Sequence, residues 1–363
     1  MKQKGQSRRV EKDRQPLVRD EHRLAEAERQ IRPALMRDVA NLAGVSVMTV
    51  SRALNGSAAV TDVLRTRVLE AVARLEYRPN EVARSLRAQR SRQIGLIVPN
   101  LVDPFFAICA DAVSLVAKKH GYSVVITTSD EDLKFETEQV SLMAQRSVEG
   151  IILVPALGKR ESFRRSRVAS IPIVTLDRPL SGSSSASVVV ENREGARRSV
   201  EHLIGHGCRR IVHLCLNRRL YTLAARERGY RDAMRTARLV PESVNGDFAG
   251  DEMIAALRSL RVEGPFALFC SNNLVTRRAL HSLTELNWRV PEEVPLVGFD
   301  DFETADIMKP AITVVRQPIY LLGTTGAEIL FEKLADTGTQ DGWGLRTLPV
   351  ELIVRNSCGC LNK

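Results

Sequence analysis

The chain has no run of about 18 apolar residues, and no apolar segment of signal-peptide length lies near its amino terminus. These absences speak against a transmembrane helix and a secretory leader, and the cytoplasm is the expected location. Cysteine is sparse: the six residues Cys109, Cys208, Cys215, Cys270, Cys358 and Cys360 lack zinc-finger spacing. Cys358-Gly-Cys360 is a close pair, but no further ligands lie nearby in the sequence, and cytosolic thiols are normally reduced. Histidine is scattered over six positions. His202 and His206 share a helix face at i, i+4, yet no third ligand pattern supports a metal, and a solvated helix end is expected. No GxSxG, P-loop or HExxH sequence occurs. The chain is therefore expected to be no enzyme and to need no cofactor or metal.

What is present is a lopsided charge. The 363 residues carry a formal net charge of +10, and residues 1–92 hold 20 Lys+Arg against 11 Asp+Glu. The remaining three quarters are almost neutral. A basic module on a neutral body is the electrostatic footprint of a nucleic-acid binder. Residues 1–30 contribute only +3, so a basic tail alone does not account for it. That tail lacks Phe, Trp, Tyr and Ile and is expected to be disordered.

Asp38 to Arg52 reads DVANLAGVSVMTVSR. Val39, Ala40, Ala43 and Val50 fall at helical spacing, interrupted at Gly44–Ser46, where glycine can turn the chain and serine can cap the next helix. Helices over Met36–Ala43 and from Val47 to about Asn55 follow. Two short helices joined by a glycine-containing turn form a helix-turn-helix, whose second helix enters the DNA major groove. Val47 and Met48 would meet thymine methyls there, Arg52 a guanine, and Thr49 and Ser51 phosphates. A third helix over Val60–Leu75 has Val63, Leu64, Val68, Leu69, Val72 and Leu75 as its apolar positions, with Arg65, Arg67 and Arg74 free for phosphate or solvent. Pro79 stops it. The segment PNEVARSL (Pro79–Leu86) is too short for a helix that is stable alone.

From Ile94 the pattern changes. Continuous apolar runs, typical of strands buried on both faces, alternate with helical periodicity. Strands are expected at Ile94–Val98, Ser123–Thr128, Gly150–Val154, Ile171–Leu176 and Val188–Val190. Helices fall at Phe106–His120, Lys134–Arg146 and near Lys159–Val168. After Asn192 the alternation restarts, with strands at Arg210–Leu214, Pro265–Cys270 and Leu296–Phe299 and helices to His206, at Ala224–Ala237 and at Leu274–Leu286. Two successive sets of β-α units imply two doubly wound parallel-sheet subdomains, with ligand outside the carboxyl ends of the strands.

The helix-turn-helix and PNEVARSL together resemble the headpiece and hinge of the LacI/GalR family of bacterial transcription regulators, and the body resembles its type I periplasmic-binding-protein fold. The resemblance spans about Met36–Arg355. It implies a basic tail at 1–30, a headpiece at 31–78, a hinge at 79–91 and an effector-binding, dimerising domain at 92–363. In that domain the first subdomain would hold about 92–190 and 317–345, and the second about 191–316 and 346–356. It implies that Asn80, Ala83, Arg84 and Leu86 work at the DNA, Leu86 as a wedge in the minor groove and Ala83 on the close-packed face between two hinges. It implies effector contacts from Phe105, Phe106, Asp177, Arg226, Asn272 and Asp300. The implied partners are a palindromic double-stranded operator, a second copy of the chain and a small effector, a sugar, sugar acid or related metabolite, with no membrane. A rival reading is a soluble carbohydrate-binding or carbohydrate-processing protein with a non-specific basic arm, which would bind all DNA alike.

Overall fold

The structure is a computed structural model that describes residues 34–77, 90–157, 170–180, 186–216, 219–335 and 344–360. The expected tail, the helix near 159–168 and the hinge residues Asn80, Ala83, Arg84 and Leu86 lie outside the described residues. The chain divides into two compact units after Ala88.

The first unit holds α1 (Met36–Ala43), α2 (Val47–Leu54) and α3 (Asp62–Arg74). The turn after α1 forms as expected. Gly44 takes a left-handed φ of 61°, and Ser46 Oγ accepts the Thr49 N–H at 3.1 Å to open α2. Val39, Ala40, Ala43, Val50, Ala53, Val60, Val68, Ala71 and Tyr77 make the core. Such a core is small, because a module of this size has little surface to bury. Val63 and Leu69, expected to face inward, are 72% and 50% exposed, and Ala71 takes an inward place instead. Arg65 and Arg67 also depart from expectation. Arg67 Nη2 donates to Ala43 O, the last residue of α1, at 2.8 Å. Arg65 donates to Ala53 O and Ser57 O, at and just beyond the end of α2. Arg67 satisfies a carbonyl that the end of α1 leaves without an intrahelical partner, and Arg65 ties the end of α2 to the loop that follows it.

The second unit contains two six-stranded sheets. The first is built from β1 (Gln93–Val98), β2 (Ser123–Thr128), β3 (Gly150–Leu153), β4 (Ile173–Leu176), β5 (Ala186–Val190) and β11 (Leu345–Leu348), in the order β11-β5-β4-β3-β1-β2. The second uses β6 (Ile211–Cys215), β7 (Glu242–Asn245), β8 (Ala267–Cys270), β9 (Leu296–Phe299), β10 (Thr313–Arg316) and β12 (Glu351–Ile353), in the corresponding order β12-β10-β9-β8-β6-β7. All pairings are parallel except β10–β12. β11 stays in the first sheet through Leu348, so the last crossing falls at 349–350 rather than at the expected 345. The interior strands β3, β5, β6, β8 and β9 are buried along their whole length, which explains their unbroken apolar sequence.

Helices α4 (Pro104–Lys119), α5 (Leu133–Gln145), α6 (Asn192–Gly205), α7 (Tyr221–Thr236), α8 (Glu252–Val262), α9 (Asn273–Glu285) and α10 (Ile319–Ala335) connect the strands. One apolar cluster runs from Ile94 and Leu96 of the first sheet to Phe269, Val297 and Phe299 of the second, so the two subdomains share buried surface. α6 and α7 pack with backbones nearly touching. A Cβ added at Gly229 would lie 2.0 Å from the Arg193 carbonyl oxygen. Only glycine permits that approach.

Replacing Arg67 by Ala should cost the first unit about 1 kcal/mol, the net worth of one hydrogen bond. Hydrogen exchange over residues 36–54 should then speed up severalfold while exchange in the second unit is unchanged. Unchanged protection across α1 and α2 would show that the cap contributes nothing.

Candidate functional site

Each unit carries one candidate site. In the first, Val47, Met48 and Arg52 of α2 are exposed, Met48 at 63%, while Thr49 and Ser51 are half-buried. Val50 and Ala53 alone turn fully into the core. The amino-terminal turn of α2 therefore offers two apolar side chains and one guanidinium outward. That set can contact thymine methyls and a guanine edge.

The second site forms where strand ends of the two subdomains meet. Arg226, on the first turns of α7, is 3% exposed. Its Nε donates to Asn192 Oδ1 at 2.8 Å, and its Nη1 donates to Ser271 O at 2.7 Å and to Asp300 Oδ2 at 3.0 Å. The guanidinium lies 3.7 Å from the centre of the Phe299 ring. Nη2 makes none of these bonds. Gln317 donates its amide to the other oxygen of Asp300. Burial pushes the Asp300 carboxyl up from its ordinary range, against the pull of Arg226 and Gln317; the Asp103 carboxylate adds to the rise. Asp301 points elsewhere and pairs with Arg355 and Arg316 at 2.9 and 2.8 Å. Burial raises its carboxyl, but the two arginines outweigh that and hold it below the ordinary range.

Asp177 occupies in the first sheet the position Asp300 occupies in the second. Each follows the fourth strand of its set, with φ of 68° and 73°, and each N–H donates at 2.9 Å to the neighbouring strand, to Val188 O and Val315 O. Asp177 is buried against Arg178, which also grips both oxygens of Glu131 at 2.7 Å. Asp103 caps α4 by accepting the Phe105 N–H at 3.1 Å. The same oxygen accepts from Asn273 Nδ2 at 3.1 Å, a bond that joins the two subdomains. Phe105 and Phe106 are buried and meet edge to face, 5.1 Å apart. Two buried polar atoms in this neighbourhood, Ser271 Oγ and Gln317 Oε1, have no hydrogen-bond partner. The site thus combines carboxylate acceptors with a clamped guanidinium, the equipment for holding a small molecule rich in hydroxyl groups.

Residues 35–80 match the family described as bacterial regulatory proteins, lacI family, and residues 200–358 match the periplasmic binding protein-like domain. The ribose operon repressor of Halalkalibacterium halodurans is 32% identical over 324 residues, which cover 89% of this chain and 96% of that protein. The chain belongs to the lacI family. An HTH-type transcriptional repressor PurR of Aliivibrio fischeri is 30% identical, covering 84% and 92% of the two chains. Among solved structures, the lac repressor dimer bound to operator and the anti-inducer ONPF matches with a TM-score of 0.81 at 27% identity, over 90% of this chain and 99% of that one. Members of the lacI family are transcriptional regulators, and this chain is a DNA-binding repressor-type protein. No helix among the described residues is long and apolar enough to cross a membrane.

The structure gathers Arg226 and Asp300 directly, and sets Asp177 and the two phenylalanines at the matching end of the first sheet. Asn272 also has a local role: its Oδ1 accepts the Val275 N–H at 2.9 Å and caps α9. The neighbouring Asn273 makes the contact across the cleft. Sequence reasoning missed Asn192, Ser271, Asp103 and Gln317 as members of this site. All four lie just beyond a strand end, which was the available signal. One exclusion is overturned. His202 is no solvated helix end, because its Nε2 lies 3.3 Å from Cys358 Sγ and 2.9 Å from Cys360 Sγ.

Because the Asp301 carboxyl is held low, the stability it contributes is fully present above the ordinary carboxylate range and is lost as pH falls through its lowered value. Asp301→Asn should therefore lower the Tm near neutral pH, by about 2 kcal/mol of stability for bonds to a charged group. The gap from the parent should close in acid. A gap that stays constant with pH would contradict the pairing.

Proposed function

We propose that the chain is a cytoplasmic repressor that binds a palindromic operator as a dimer and is released or recruited by a polyhydroxylated metabolite, a sugar or sugar acid, in the cleft between the subdomains. The observation that supports this best is the Arg226–Asp300–Gln317 cluster, with buried polar atoms left unpartnered beside it. Carboxylates accept from sugar hydroxyls, and Arg226 Nη2 donates to them. The names of the relatives agree: two similar proteins are ribose operon repressors, and one similar structure is a transcriptional regulator CelR–cellobiose complex. In this reading Phe105, Phe106, Asp177 and Asn272 complete the effector contacts, and Val47, Met48, Thr49, Ser51 and Arg52 contact the operator. Asn80, Ala83, Arg84 and Leu86 form the hinge, with Leu86 as the minor-groove wedge.

The coupling runs through the Asn273–Asp103 bond. Ligand that engages Asp103 or Asp300 changes the energy of one arrangement of the subdomains relative to the other. It can alter DNA affinity only by that difference.

The reading is tested by titrating promoter DNA with the full chain at several salt concentrations, against competitor DNA and with a panel of sugars and sugar acids. Binding should be sequence-selective and should shift severalfold or more with one ligand class. Gln317→Ala should keep DNA affinity and lose the ligand response. Leu86→Ala should weaken operator binding and reduce bending with ligand affinity intact. Equal affinity for random DNA would reject the repressor, and a normal ligand response in Gln317→Ala and Asp300→Asn would reject the pocket.

A further inference from the structure

The carboxyl-terminal segment brings together a donor set that neither the repressor function nor the effector pocket uses. After β12 the chain is stitched to the amino ends of the second sheet by Ser357. Its Oγ donates to Leu296 O and accepts the Thr313 N–H, each at 2.8 Å, and its carbonyl accepts the Leu296 N–H at 2.8 Å. Leu296 and Thr313 are the first residues of β9 and β10, so this is the end of the sheet opposite the effector cleft. Cys358 is buried, Cys360 half-buried, and Gly359 between them takes a φ of 87°, a conformation glycine adopts freely.

Both thiols reach the last turns of α6, more than 150 residues earlier in the chain. His202 Nε2 stands 3.3 Å from Cys358 Sγ and 2.9 Å from Cys360 Sγ, and His206 Nε2 stands 3.1 Å from Cys360 Sγ. The two imidazole rings are 4.7 Å apart. The ligand atoms of His202, Cys358 and Cys360 all lie within 4.8 Å of one another. A tetrahedral zinc with its usual bond lengths has nitrogen-to-sulfur edges of about 3.5 Å. The observed separations, 2.9 to 3.3 Å, are shorter than that figure by about 0.2 to 0.6 Å, and His206 stands beside Cys360, outside the compact three-donor group.

We propose that His202, His206, Cys358 and Cys360 form a Cys2His2 site for zinc. Two thiolates and two imidazoles select a borderline-soft transition ion over magnesium or calcium, which take oxygen ligands. Four protein donors leave no open position, so the ion is structural. It fastens the end of the chain to the carboxyl turn of α6, the helix whose first residue, Asn192, accepts from Arg226. On binding, each cysteine loses its proton to solvent and the sulfur lone pair forms the bond to zinc; no oxidation state changes.

The test uses untagged, reduced full-length protein. It should carry about one zinc per chain, and cobalt(II) put in its place should give the intense visible bands of a tetrahedral ion with a thiolate charge-transfer band in the near ultraviolet. Cys358→Ser with Cys360→Ser should weaken zinc binding by about 100-fold or more, and His206→Asn by at least about tenfold. Chelator should lower the Tm of the parent and leave that of the double variant unchanged. Parent protein that takes up no zinc, a cobalt spectrum without the thiolate band, or the same zinc affinity in the double variant would overturn the site. The first two of these outcomes, stoichiometry and spectrum, are read on the parent and do not depend on the variants folding.

Discussion

A guanidinium with only 3% of its surface in solvent cannot exist without partners, and the arrangement around Arg226 is dictated by that constraint. Asn192 from the start of α6, Ser271 from the end of β8 and Asp300 from the end of β9 each supply one oxygen, and Phe299 supplies a ring face. Four elements of the second subdomain are thereby fixed relative to one another at the place where the first subdomain approaches. Removing the arginine would leave a buried carboxylate uncompensated, which costs far more than the hydrogen bonds alone. The same neighbourhood leaves Ser271 Oγ and Gln317 Oε1 buried without hydrogen-bond partners. In the proposed repressor, structural necessity and ligand recognition fall on one side chain.

Helix α6 gives that cluster its reach. Its first residue is a partner of Arg226, its body lies against α7 at the closeness Gly229 permits, its last turn carries His202 and His206 follows as its C-cap. A helix of 14 residues therefore spans from the effector cleft to the Cys-Gly-Cys segment at the opposite end of the sheet. The sheets themselves repeat one strand order twice, and the repeat places Asp177 and Asp300 at equivalent strand ends in the same left-handed backbone conformation. A carboxylate from each half is the natural result of that duplication. The asymmetry comes from their partners: Asp177 is paired with Arg178 of its own subdomain, while Asp300 is shared by Arg226 and Gln317.

Much of this was legible in the residues. Runs such as IGLIV at Ile94–Val98 announce strands covered on both faces, and the family resemblance pointed to Arg226 and to Asp300 just beyond a strand end. Edge strands were harder to read. β7 reads ESVN and β12 reads ELI, too short and too polar to stand out, and no apolar run marks β11. α10 carries Gly323 and Gly326 where it packs on α4 and β4, a composition that argues against a helix until the close packing is seen. Arg65 and Arg67 looked like phosphate ligands because their acceptors are backbone carbonyls, which leave no trace in a sequence pattern. The histidine and cysteine pairs are each unremarkable locally. Only the register of β9, β10 and the terminal segment brings them to one point.

In the proposed repressor, the polar cleft and helix α2 share one equilibrium. Linkage requires that any factor by which a ligand changes operator affinity equals the factor by which operator changes ligand affinity. Calorimetric titration of the effector into the full chain, with and without saturating operator DNA, measures this directly. Two different ligand affinities are expected, with a ratio that matches the shift in operator affinity. A ligand that binds with the same affinity whether or not operator is present would contradict it.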